Sequence, residues 1–167
     1  MRPIAIPNTI EQLWKSGAKT QDEQIAMVRN KYGQLLKGLP EVSIVIPAYN
    51  EEQNILRTLL SLSSNTTTRS VEIIVVNNNS KDNTEALVKA SGVGCILETK
   101  QGITAARNAG LAVARGKYIL NADADSIYPP DWVEEMVKPL ADSDTVSITY
   151  GRFGFIPTGS TSRFSYF

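Results

Sequence analysis

The segment Asn121-Ala122-Asp123-Ala124-Asp125-Ser126 sets two carboxylates two residues apart, with only small side chains between and before them. It comes directly after an apolar run, Tyr118-Ile119-Leu120. Two negative charges this close repel each other unless a cation joins them. Hard oxygen donors select Mg2+ or Mn2+, and Mg2+ is usually held by one or two carboxylates together with substrate phosphates. A solvated acidic loop is the plain alternative, because two aspartates at this spacing are common. Position at the end of a strand is what favours the metal.

Composition narrows the chemistry further. The chain has 167 residues, no histidine and one cysteine. Triads and dyads that need an imidazole are excluded, as is a His-ligated zinc site. Acid–base work falls to carboxylates, Lys, Tyr or water. A single cysteine forbids an internal disulfide and suits a reducing compartment. With 17 basic against 17 acidic residues the formal net charge is zero, which argues against an electrostatic nucleic-acid binder. No apolar run approaches the ~20 residues of a spanning helix. The start, MRPIAIPNTI, is broken by two prolines and an Asn and has no apolar h-region, so it is not a secretory signal. A soluble, cytoplasmic chain is expected.

Three more segments carry polar groups at promising places. Pro47-Ala48-Tyr49-Asn50-Glu51-Glu52 comes after an apolar run and leads into a helix, whose first N–H groups favour anions. Asn77-Asn78-Asn79-Ser80-Lys81-Asp82 comes after another. Asparagines tolerate left-handed backbone and build local turns, so this loop is either a turn with a cap or a polar pocket for a base or ribose. Gly102-Ile-Thr-Ala-Ala-Arg107-Asn108-Ala-Gly110 is small and apolar except for Thr104, Arg107 and Asn108, which share one side of a helix. Arg107 there is either a surface charge or a partner for phosphate or carboxylate.

The elements that must position these groups alternate. A helical stripe of Ile25, Val28, Tyr32, Leu35 and Leu36 runs from Thr20 to Leu39, stopped by Gly38 and Pro40. This helix is expected to pack on the outside of the unit formed by residues 41–150. Strands are predicted over 42–46, 73–76, 95–97, 118–120 and 145–150. Helices are predicted over 51–63, with Asn50 and Gln53 in a capping box, over 82–91, capped by Asp82 with Glu85 three residues on, over 102–114, and over 130–140. The strands are apolar throughout. That pattern predicts an α/β, mostly parallel sheet with helices on both faces, in one domain with an apolar fraction of 42%. Ligands of such sheets bind outside the carboxyl ends of the strands, where the four loops lie.

Taken in order, the pieces resemble the inverting glycosyltransferases of family 2, which have the Rossmann-like GT-A fold. The resemblance rests on VSIVIPAYNEEQNI (42–55), EIIVVNNNSKDNTEAL (72–87), GITAARNAG (102–110) and GKYILNADADSIYPPDWVEEM (116–136), and covers most of residues 41–150. It implies metal-dependent transfer of a sugar from a nucleotide-diphosphate donor, often UDP, to a hydroxyl acceptor. It further implies that Pro47, Ala48, Tyr49 and Glu51 line the nucleotide pocket. Asn77, Asn78 and Ser80 would hold the base, and Arg107, Asp123 and Ala124 would contact the nucleotide. Asp125 and Asp123 would hold Mg2+ or Mn2+, with Asp123 also near the ribose.

Two departures stand out. The family usually has an Asp in the base loop, commonly at the position of Asn77, so the nucleobase is left open. The family's catalytic base comes well after the acidic pair, yet nothing acidic lies from Thr145 to Phe167. The base is therefore expected beyond Phe167. All four phenylalanines, at 153, 155, 164 and 167, crowd the tail like a core cut through. The reading is a helical extension over 1–40, a nucleotide-sugar-binding portion over 41–150, and a cut acceptor-side region over 151–167, inactive alone. The glycan, lipid or protein acceptor is open, as is membrane association of a longer chain. The rival is a non-catalytic binding module of the same fold. A nucleotidyltransferase would want a Gly-rich basic loop where Pro47–Glu52 stands, and a dehydrogenase a G-x-G-x-x-G.

Overall fold

In a computed structural model the chain is described at residues 8, 10, 12 and 20–154. The elements run α1 (Gln21–Leu35), β1 (Val42–Ala48), α2 (Ile55–Ser63), β2 (Val71–Asn77), α3 (Thr84–Ala90), β3 (Gly94–Leu97), α4 (Ile103–Val113), β4 (Tyr118–Asn121) and α5 (Trp132–Ala141). The four strands make one parallel sheet in the order β3-β2-β1-β4. The chain steps outward from β1 to β2 and β3, then returns to the other side of β1 for β4. The crevice at that reversal, between the carboxyl ends of β1 and β4, is where open α/β sheets bind ligands.

Strand side chains alternate between two covered faces, as the period of two requires. Ile44, Ile46, Ile73, Val75 and Leu120 point to the larger core, shared with Val28, Tyr32 and Leu35 of α1, Leu59 of α2, Val88 of α3, and Val133 and Val137 of α5. Val45, Ile74 and Val76 point to the other face, where Ala106 of α4 covers them. Helices on both faces are thus present. Gly110 lets α4 lie close: a Cβ there would sit 2.3 Å from Val45 Cγ1.

The first helix packs against α2 and enters the main core; Val28 is fully buried. Thr20 forms a capping box with Glu23 at its start. The helix ends at Leu35, earlier than Gly38, and the Lys37 N–H instead donates to the Ser70 hydroxyl at 3.0 Å. The Tyr32 hydroxyl accepts from the Ile73 N–H of β2, 3.3 Å away, a donor lying just before the β2–β3 ladder begins at Ile74.

Three local expectations are corrected. Asn50 does not cap a helix with Gln53: its φ is 55°, and α2 begins only at Ile55. The N–H groups of residues 50–52 are captured by side chains of the loop after β2 and of Thr84, the first residue of α3. Asp82 does bond to Thr84, but helix α3 starts at Thr84, and Glu85 turns to Asn77 and Lys89 instead of closing a box. Residues 145–150 form no strand. Among the described residues no strand pairs with them, and Ile148 and Tyr150 are exposed. Alternating apolar residues without a ladder partner have nowhere to place their N–H and C=O groups. Of the aromatic tail, positions 155, 164 and 167 lie outside the described residues. No helix among those described is long and apolar enough to cross a membrane.

Candidate functional site

The loops after β1 and β2 are stitched together by side chains accepting from backbone. The Asn50 N–H donates to the Ser80 hydroxyl at 3.0 Å, Glu51 N–H to Thr84 Oγ1 at 2.8 Å, and Glu52 N–H to Asp82 Oδ2 at 3.0 Å. In return Lys81 N–H donates to Asn50 Oδ1 at 2.8 Å and Asn83 N–H to Glu52 Oε2 at 2.9 Å. Asn50 and Asn79 both take left-handed backbone, with φ of 55° and 63°, which asparagine tolerates best among residues with a Cβ. Burial alone would raise the Asp82 carboxyl. Its bonds from the Thr84 hydroxyl and N–H and the Glu52 N–H outweigh that and hold it below the ordinary range. Pro47 is half-buried, Ala48 buried, and Tyr49 exposed at the crevice end of β1.

Asn77 and Asn78 are buried, and both ends of each amide bond to the protein. Asn77 Nδ2 donates to Glu85 at 2.7 Å while its Oδ1 accepts from Ser80 N–H at 3.0 Å. Asn78 Nδ2 donates to the carbonyls of Glu98 and Lys100, at 3.0 and 2.8 Å, and its Oδ1 accepts from Gly102 N–H at 2.8 Å. An aspartate at 77 would face the Glu85 carboxylate, and one at 78 would face two carbonyl oxygens. Neither position could donate. The amides of the Asn run therefore have a scaffolding reason: Asn78 ties β2 to the loop that starts α4.

The acidic pair rides on a loop held from two sides. The Thr58 hydroxyl of α2 donates to the Ala124 carbonyl at 2.7 Å. Tyr128 N–H donates to the Ser61 hydroxyl at 3.1 Å, and the Tyr128 hydroxyl accepts from the Asp123 N–H at 2.7 Å. The Tyr128 ring lies 4.5 Å from that of Trp132, centroid to centroid. Burial pushes the Tyr128 phenol up to about 12, so it stays protonated. On the far side Arg107 of α4 reaches Asp123: its Nη2 lies 3.3 Å from Oδ1, and its buried Nε has no partner. Thr58 and Ser61 belong to no sequence motif that points to a site, and Tyr128, within the segment 116–136, carries no signal of its own there. Hydroxyls on the largely apolar α2 are the one sequence signal that points to Thr58 and Ser61.

Ala122 and Ala124 face the core, so the alternation turns Asp123 and Asp125 outward. Each keeps carboxylate oxygens clear of strong partners; the Asp125 contact, from the Ser126 hydroxyl, is 3.5 Å long. Among the described residues no group of three His, Cys, Asp or Glu side chains converges into a cage for a metal ion. Two exposed carboxylates leaving most positions to outside ligands is the donor set that suits Mg2+ or Mn2+ with phosphates and water. The residues fit such an ion. A separate cavity of about 400 Å3, lined by Gln21, Gln24, Glu52, Gln53, Leu56 and Asn83, lies against α1 and includes neither aspartate.

The sequence profile of glycosyl transferase family 2 matches residues 43–165. Glycosyltransferase AglE of Haloferax volcanii is 32% identical over 136 residues, covering 77% of this chain and 44% of that protein. The chain spans less than half the length of the first curated relatives it matches. Among solved structures, glucosyl-3-phosphoglycerate synthase from Mycobacterium tuberculosis, in complex with Mn2+, UDP and phosphoglyceric acid, is 25% identical with a TM-score of 0.55. The match covers 73% of this chain and 44% of that one. TarS of S. aureus in complex with UDP shares the fold, at 24% identity and a TM-score of 0.55, over 61% of this chain and 32% of that one. Neighbours of this kind carry the GT-A fold.

Proposed function

The chain belongs to glycosyl transferase family 2, and from that premise we propose that it binds the nucleotide-diphosphate donor, with UDP foremost, for metal-dependent, inverting transfer of a sugar to a hydroxyl acceptor. The observation that carries this reading is the acidic pair. Asp123 and Asp125 stand at the carboxyl end of β4, beside the reversal of strand order, on a loop anchored by Thr58 and Tyr128. Asp125 and Asp123 would hold Mg2+ or Mn2+. When bound, the ion supplies positive charge against the negative charge that grows on a departing nucleoside diphosphate. The structural relative solved with Mn2+ and UDP supports the same pairing.

The other roles follow from place. Pro47, Ala48, Tyr49 and Glu51 form the wall of the nucleotide pocket at the end of β1. Tyr49 is the exposed ring there, able to stack on a base. Asn77 and Asn78 shape the base loop from within, and Ser80 fixes it to Asn50. Arg107 and the Ala124 backbone meet the nucleotide beside Asp123. The acceptor hydroxyl gives its proton to a carboxylate in the part of the longer relatives that this chain does not span. Division into a helical extension over 1–40, a donor-binding portion over 41–150 and an acceptor-side region from 151 belongs to the same proposal, as does a cytoplasmic setting, with association at the inner face of the membrane left open for a longer chain.

A second reading, a binding module of this fold without transfer activity, draws on the inward-turned amides of Asn77 and Asn78. Calorimetry of UDP binding tests the first. Binding is expected with Mn2+ or Mg2+ and to be lost without it, and Asp125→Ala removes both tight binding and the metal requirement. Equal affinity with and without metal would remove the acidic pair from the site. Donor hydrolysis or transfer by the full-length protein separates enzyme from module.

A further inference from the structure

We propose that Arg107 is an exchangeable counter-cation: it pairs with Asp123 while no divalent ion is bound, and releases that carboxylate to hold the donor's diphosphate once the ion is in place. This rests on the reading of Asp123 and Asp125 as metal ligands. The Arg107 Nη2 lies 3.3 Å from Asp123 Oδ1, a long and single contact, whereas a guanidinium and a carboxylate at their best make two parallel bonds near 2.8 Å. The partners are 39% and 63% exposed, so the pair is screened and weak enough to part. The Arg107 Nε is buried without an acceptor, leaving one donor of the fork unanswered. A guanidinium with one buried donor unsatisfied and a single loose partner has little to hold it where it stands, and once the side chain turns, phosphate matches its fork.

The position of the helix supports the exchange. Gly110 and Ala106 hold α4 tight on Val45 and Val76, so the Arg107 backbone is fixed and only the side chain has to turn. With Arg107 on Asp123, the two aspartates are spared mutual repulsion in the empty site. With a divalent ion there, that service is redundant, and a positive guanidinium beside the ion would oppose it. Arg107 therefore lowers affinity for the ion alone and raises affinity for the nucleoside diphosphate that arrives with it.

The test measures Mn2+ alone and UDP separately in the full chain. Free Mn2+ is followed by electron paramagnetic resonance in wild type, Arg107→Gln, Arg107→Lys and Asp125→Ala. UDP affinity at fixed Mn2+ is followed by calorimetry. Arg107→Gln is expected to bind Mn2+ alone about tenfold tighter and UDP about tenfold weaker, each the equivalent of about 1.4 kcal/mol. Arg107→Lys, which keeps the charge, stays near wild type for Mn2+. No gain in Mn2+ affinity in Arg107→Gln, including no binding in either chain, overturns the exchange. Unchanged Mn2+ binding in Asp125→Ala overturns the metal site itself, and the exchange with it. Loss of Mn2+ in Asp125→Ala without a gain in Arg107→Gln overturns the exchange alone.

Discussion

Gly110→Ala puts the close approach of α4 to a quantitative test. The added Cβ would stand 2.3 Å from Val45 Cγ1 and 3.0 Å from Val76 Cγ2, where carbon atoms prefer about 3.5–4.0 Å. Both valines are fully buried, and β-branched side chains have little freedom at χ1, so they cannot yield. Overpacking of this kind costs about 1–3 kcal/mol, and the rigidity on both sides argues for the upper end. Alanine returns about 1 kcal/mol through helix propensity. The net loss is about 2 kcal/mol, which lowers Tm by about 4–8 °C in a domain of this size. Thermal unfolding by circular dichroism measures it. In a Val45→Ala background the penalty should fall by more than half, since the 2.3 Å clash is gone and only the contacts with Val76 Cγ2 at 3.0 Å and the residue 45 Cβ at 3.4 Å remain. Arg107 lies three residues earlier on the helix, so UDP binding should weaken as α4 retreats. A variant that melts higher than the parent, or a penalty indifferent to Val45, would refute the reasoning.

Tyr128→Phe keeps the ring against Trp132 but removes the acceptor for the Asp123 N–H. It should cost about 1 kcal/mol of stability and weaken Mn2+-dependent UDP binding. Because the phenol titrates only near 12, the effect should be flat from neutral pH to about pH 9, and a pH-dependent effect in calorimetry would contradict it. Asn78→Asp turns a carboxylate on the Glu98 and Lys100 carbonyls and should lower stability by about 3 kcal/mol in urea unfolding; a midpoint equal to the parent's would tell against the scaffolding role. Burial by itself would raise the Glu72 carboxyl, but the Ser43 hydroxyl and the Arg115 N–H and guanidinium outweigh it and hold it below the ordinary range. A carboxylate with a lowered folded pKa adds stability above its unfolded value of about 4.3 and loses it as pH falls through the folded value. Glu72→Gln should therefore flatten the fall in Tm below about pH 4.5, and an unchanged acid slope would contradict this.

Strand runs such as 42–46 and 73–76 were legible because both faces of the sheet are covered, which leaves no polar alternation to confuse them. The acidic pair was legible for a related reason. Ala122 and Ala124 are small because they pack inward, which turns the aspartates out. The fifth strand misled because β propensity says nothing about whether a ladder partner stands beside the segment. The late start of α2 could not be read from Asn50 and Gln53, since Ser80, Asp82 and Thr84 take the N–H groups before it from some 30 residues away. The role of the Asn amides was hidden likewise: the acceptors of Asn78 are carbonyls at 98 and 100, which any residue type would supply.

The most direct measurement of the central claim is anomalous scattering from crystals grown with Mn2+ and UDP. A manganese peak bridging the diphosphate and the carboxylates of Asp125 and Asp123 is expected. A diphosphate bound at the crevice with no manganese beside those two side chains, or manganese bound elsewhere, would contradict the account.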